Sequence, residues 1–137
     1  MATLNAKTLQ DTQYSGPAPA AHAHGKHTLA AAAIGDKVRL VRLYAGTKVY
    51  AGSLITAALG AGSTMSLGFE ATDGSALANG VGANSLLNAQ ATNAAGKFNS
   101  ANAPFVLDKD AYLIGTVGGA VASGQVDAVI SYEHRGV

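Results

Sequence analysis

The chain has 137 residues with 9 Lys+Arg against 8 Asp+Glu, a formal net charge of +1, and only 12% charged residues, about half the usual share for a soluble domain. Apolar residues reach 48% with 6% aromatic, and Ala and Gly supply about a third of the chain, so the length fits one domain whose apolar content is mostly small side chains. The near-neutral balance argues against a general nucleic-acid binder, no apolar run approaches a membrane span, and the absence of Cys excludes disulfides, thiolate nucleophiles and cysteine-ligated zinc.

Residues 1–27 read as an extended N-terminal arm outside the main domain. MATLNAKTLQ lacks the basic and apolar regions of a signal peptide, so none is expected. TQYSGPAPAAHAHGKH holds two of the three prolines and three of the four histidines, with hardly any large apolar residue to fill a core. Tyr14, Pro17 and Pro19 are the arm's candidate partner contacts, made when the arm orders on a surface. His22, His24 and His27 are the candidate metal ligands. The bland alternative, solvated imidazoles or subunit contacts, is preferred, because no carboxylate lies nearby in sequence and Lys26 would oppose a cation.

From Thr28 to residue 137 the pattern is one of short apolar runs broken by Gly, Asp, Asn and Ser. The run Thr28 to Ile34 ends at Gly35-Asp36. In KVRLVRL, strand alternation places Val38, Leu40 and Arg42 on one side and Lys37, Arg39, Val41 and Leu43 on the other. TKVYAGSLITAAL continues as an extended segment after Gly46, GAGS turns, and TMSLGFEA alternates cleanly, with Met65, Leu67 and Phe69 on one face. After the Asp73-Gly74 turn, Ala83, Leu86, Leu87, Ala91 and Ala94 fall at helical spacing. That predicts a helical excursion over about 80–96, stopped at Gly96. FVL, AYLIGTV and QVDAVISYEH complete six or seven strands. The expected fold is mainly β: an antiparallel β-sandwich or jelly-roll-like barrel over 28–137, with one short helix and the N-terminal arm.

Sites for chemistry are weak. Asp108 and Asp110 flank Lys109 in a turn and lack a third calcium ligand. No G-x-S-x-G elbow is present, GAGST lacks the phosphate-loop lysine, and Gly96-Lys97 is followed by Phe98. No catalytic residue and no cofactor is expected, and the chain reads as a non-enzyme. A basic block (Lys26, Lys37, Arg39, Arg42 and Lys48, against Asp36 alone) offers Lys37, Arg39 and Arg42 as contacts to an acidic protein surface.

The block from Lys37 to Glu70 and the loop after it, KVRLVRLYAGTKVYAGSLITAALGAGSTMSLGFEATDGS, resembles the head decoration, or cement, proteins of tailed bacteriophages. The features are an L-x-A-G-T-K-V turn, a strand ending I-x-x-A-L, and an S-L-G-F strand running into an acidic loop. SLLNAQATNAAGKF resembles the Ala-rich excursion of such proteins, and the closing strands match their final pair, so the likeness spans roughly 28–134. It implies a virion protein on the outer capsid surface, bound to the major capsid protein. It further implies self-association, a trimer ahead of a dimer, and no direct contact with nucleic acid or membrane. The alternatives are a head–tail, baseplate or fibre-base component, or a lectin-like module binding host glycans. With no Trp, only Tyr14, Tyr44, Tyr50, Tyr112 and Tyr132 could stack on sugars there.

Overall fold

A computed structural model describes residues 1–10 and 20–134. Its strands are β1 (Thr3–Asn5), β2 (Ala21–Ala32), β3 (Lys37–Leu43), β4 (Thr47–Thr56), β5 (Thr64–Ala71), β6 (Leu87–Ala91), β7 (Gly96–Asn99), β8 (Phe105–Val106), β9 (Ala111–Gly118) and β10 (Ala122–His134). They form two sheets and no closed barrel. One has the order β1-β3-β9-β5-β6; the other has the order β2-β10-β4-β7, with β8 also pairing β4. Every pairing is antiparallel except β1 with β3, which is parallel and aligns Thr3 with Lys37. The mainly β sandwich read from the sequence is therefore the fold. Among the described residues no helix is long and apolar enough to cross a membrane.

Inward positions of the two sheets meet in one core, where Leu40, Leu54, Met65, Leu67, Leu113 and Ile130 are fully buried. Phe69 meets Phe105 edge to face, with ring centroids 5.6 Å apart and planes at 78°.

The helix expected at 80–96 does not form. One 3-10 turn, Ala78–Gly80, precedes β6, and the chain then crosses from the first sheet to the second between β6 and β7. Of the residues at helical spacing only Leu86 is buried; Ala83, Ala91 and Ala94 are exposed. A stripe of alanines gains little by burial, whereas the open edges of β5 and β4 offer backbone partners along the whole segment.

The predicted boundary after residue 27 falls inside β2. Residues 21–32 run as one strand along β10, pairing Ala21 with Tyr132 and Thr28 with Gln125. At the N-terminus, Ala6 and Leu9 are buried beside β3. Tyr14, Pro17 and Pro19 lie outside the described residues.

Candidate contact surfaces

The first surface is the outer face of β3, β9 and β5. Strict alternation would put Arg39 and Arg42 on opposite faces, as the sequence reading did. Instead, a β-bulge between Arg39 and Val41 buries Leu40 and Val41 in succession, and both arginines emerge on the outer face. There the cations are already engaged. Glu70 pairs with Lys37, and its Oε2 lies 3.4 Å from Arg39 Nε without hydrogen-bond alignment. The Arg39 guanidinium sits 4.6 Å from the centre of the Tyr112 ring. Arg42 donates to Asp110 Oδ2 at 3.1 Å and lies 5.8 Å from the Tyr44 ring centre. The Ala45 N–H, donating to Asp110 at 2.9 Å, holds that carboxyl below the usual range; Arg42 adds to the effect and partial burial opposes it. Each of these half-exposed pairs contributes at most about 1 kcal/mol to folding, yet together they leave little unmatched charge for an acidic partner.

The second surface is the histidine strand. Pleating sends His22 and His24 outward with Lys26, while Ala21, Ala23, Gly25 and His27 alternate on the other side. His22 Nδ1 shares a 3.1 Å hydrogen bond with Ser131 Oγ, and His24 Nε2 lies 2.8 Å from Asp127 Oδ2. Burial pushes Asp127 upward, but the hydrogen bonds from Gln125 and His24, with the charges of His24 and Lys26, bring it to a net position below the usual carboxylate range. Partial burial, and then the charge of Lys7, lower the pKa of His27 on the opposite face. The three histidines thus do not converge. Among the described residues no three His, Asp or Glu side chains gather as a metal site.

Among the described residues the tyrosines offer no open platform either. Tyr44 and Tyr112 lie under arginines, Tyr132 is buried, and Tyr50 donates to Glu133 Oε2 at 2.6 Å with Lys48 Nζ 5.4 Å from its ring centre.

A third surface escaped the sequence reading. The β2–β3, β4–β5, β6–β7 and β9–β10 connections (33–36, 57–63, 92–95 and 119–121) meet at one end of the sandwich. Backbone bonds tie them together: Gly35 N–H to Val117 O at 2.8 Å, Leu59 N–H to Thr92 O at 2.9 Å, Thr92 N–H to Ser63 O at 3.0 Å, and Ser123 N–H to Leu59 O at 2.9 Å. Ser63 and Thr92 hydroxyls add a buried bond of 2.9 Å. Ile34 and Val121 project from this end at 60% and 55% exposure, amid exposed Ala33, Ala57, Ala58, Ala61, Ala94 and Ala95. The one ionisable group in these four connections, Asp36, is turned inward and only 8% exposed. The signal was available as charge-free runs at 49–69 and 111–126, which the strand order brings together here.

Asp36 accepts the Ala2 N–H at 2.7 Å and the Ala33 N–H at 3.0 Å, and these two bonds hold its carboxyl below the ordinary value of 3.8. A depressed carboxyl contributes stability that is complete above the unfolded value and lost as pH falls through the folded one. Docking of β1 on β3 should therefore loosen only below about pH 3.8. Amide exchange at Ala2 and Ala33 will accelerate there in the wild type, while Asp36→Asn will show fast exchange already at neutral pH. Identical exchange profiles for the two proteins would contradict this role.

No protein-family model and no curated protein matches the chain. Among solved structures, a chain in the capsid of Ralstonia phage GP4 superposes with a TM-score of 0.67 at 19% identity, covering 98% of this chain and 99% of that one. A chain of the cyanophage Pam1 capsid asymmetric unit gives 0.60 at 14% identity, covering 90% and 94%. A chain of the acidic stable capsid of Helicobacter pylori bacteriophage KHP30 gives 0.54 at 14%, covering 85% and 87%. The coverages are nearly equal on both sides, so the matched chains have close to this chain's length. The protein has, almost end to end, the fold of small chains found in three phage capsids.

Proposed function

We propose that this chain is a decoration, or cement, protein of a tailed-phage head, a structural and non-catalytic component seated on the outer surface of the shell. Its partners are the major capsid protein and further copies of itself. The observation that carries this reading is the end-to-end match to chains of similar size in three phage capsids. In each of those shells the shared unit is a small chain of its own. A two-sheet sandwich with no three-residue metal-ligating cluster among its described residues suits a protein whose work is contact. Individually modest contacts become tight binding when an oligomer engages several shell sites at once, because the second and third contacts form at high effective concentration.

Purified protein added to heads of the encoding phage, stripped of it, will bind saturably across the shell and raise the temperature at which the heads release DNA. Absence of binding would refute the proposal. Binding confined to one vertex would instead assign the chain to the head–tail, baseplate or fibre-base machinery.

A further inference from the structure

We infer that the free edge of β2 is a strand-addition site, on which an extended, acidic segment of a partner protein pairs along residues 22–28. The inference rests on the decoration reading and names how the chain grips that partner. The other sheet edges are short, with 3 residues in β1, 5 in β6, 4 in β7 and 2 in β8. The edge strand β2 has 12, contains no proline, and keeps unbroken register with β10 from Ala21 to Leu29. Short strands, prolines and bulges are the usual means of closing an edge, and this stretch has none of them.

In an antiparallel strand, alternate residues direct their N–H and C=O to opposite sides. Gln125 O accepts the Ala57 N–H at 3.0 Å on the β4 side of β10, so Val126, Ala128, Ile130 and Tyr132 bond toward β2. Their partners are His27, Gly25, Ala23 and Ala21. His22, His24 and Thr28 therefore turn their backbone groups to the open side, where they meet no partner among the described residues; all three are exposed. Unpaired backbone groups at strand spacing are matched by another extended backbone.

What flanks the edge sets the side chains of the added strand. Beside His27 and Thr28 a cleft of about 530 Å³ opens toward Asn5 of β1 and Lys7 of the 3-10 turn Lys7–Gln10. Lys26 also lines it, and no carboxylate does among the described residues. Lys7 is near enough for its charge to add to burial in lowering the pKa of His27. Asp127, the acid paired along this stretch of β10, is already bonded to His24 and Gln125. A carboxylate entering the cleft from an added strand meets cations, whereas a lysine there meets like charge. A second copy of β2 is a poor occupant, because it brings another Lys26 and no acid.

The probe is a short capped peptide alternating glutamate with valine, titrated into the full chain and followed by nuclear magnetic resonance at low salt. Saturable binding is expected with a dissociation constant of about 1 mM. Amide exchange at His22, His24 and Thr28 will slow, and the pKa of the His27 imidazole will rise. The counterpart peptide with lysine for glutamate should bind at least about tenfold more weakly. His22→Pro removes an outward N–H without touching the β10 ladder and should weaken binding at least about tenfold, while His22→Ala keeps that N–H and the affinity. Lys7→Glu, at an exposed position, should also weaken binding severalfold, with far-UV circular dichroism confirming the fold of each variant. No binding of the acidic peptide, equal affinity for both peptides, or amides already protected in the free protein would overturn the inference. Stripped heads form a separate arm. Binding to heads with these three amides still exchanging freely would overturn the inference and leave the decoration reading standing. Peptide binding without head binding would contradict the decoration reading alone.

Discussion

Replacing Gly25 with valine will destabilise the domain by about 3 kcal/mol, at the upper end of what overpacking a tight interior costs. At Gly25, β2 of one sheet packs directly against β3 of the other. A Cβ there would stand 2.7 Å from Leu40 Cβ and 2.9 Å from both Leu40 O and Val41 Cγ2. Facing sheets ordinarily keep about 10 Å between them, filled by side chains. Here the bulge that buries Leu40 and Val41 together narrows the gap at the edge, and only a residue without a side chain fits opposite it. The intruding valine would have to push β2 off β3. Urea unfolding followed by far-UV circular dichroism will show the lower midpoint. An unchanged midpoint would mean that β2 does not seal this edge.

Gly68→Ala should produce an effect of similar size, about 3 kcal/mol, by a different route. The outer face of β5 at this position is covered by backbone. An added Cβ would fall on the carbonyl of Gly82 and on that of Ala83, well inside contact distance. Two hydrogen bonds fix the covering segment to β5, Phe69 N–H to Gly82 O and Leu86 N–H to Leu67 O, each 2.9 Å. Backbone has no rotamer by which to yield, so the segment must lift as a unit. Amide exchange at Phe69 and Leu86 will accelerate well beyond the global change, distinguishing local detachment from general loosening. A Gly68→Ala protein with wild-type stability and both amides protected would refute the arrangement.

These two glycines mark the places where the sequence was hardest to read. Strands β3, β4, β5, β9 and β10 announce themselves because large residues such as Val38, Leu54, Met65, Phe69, Leu113 and Ile130 alternate with polar ones. Residues 21–25 alternate just as regularly, but their inward side is Ala21, Ala23 and Gly25. A strand that packs by close approach needs no bulk, so it resembles an arm with nothing to bury. The bulge in β3 is equally hidden, since an extra residue is a property of pairing with β9 and not of KVRLVRL alone. Alanine at helical spacing misleads for a related reason: it is compatible with a helix, but offers too little area to enforce one against the vacant edges of β4 and β5. Contact residues are the least legible of all. Lys37, Arg39 and Arg42 looked available until the fold brought Glu70, Asp110, Tyr44 and Tyr112 to them. The uncharged end exists only once strand order decides which connections share an end.

The scarcity of charge in the chain thus has a spatial form. Lys37, Arg39 and Arg42 meet Glu70 and Asp110 on the outer face of β3, β9 and β5, whereas the connections after β2, β4, β6 and β9 hold no charged side chain except the inward Asp36, with the Met1 ammonium near it.

The proposed decoration role is tested most directly by a density map, at a resolution that traces the chain, of the assembled phage particle that this reading requires. The decoration reading predicts this β-sandwich on the outside of the head, repeated over the whole shell with the shell's own symmetry and in contact with the major capsid protein. Finding the chain only at the tail vertex, or finding every external site on the head empty of it, would contradict that reading.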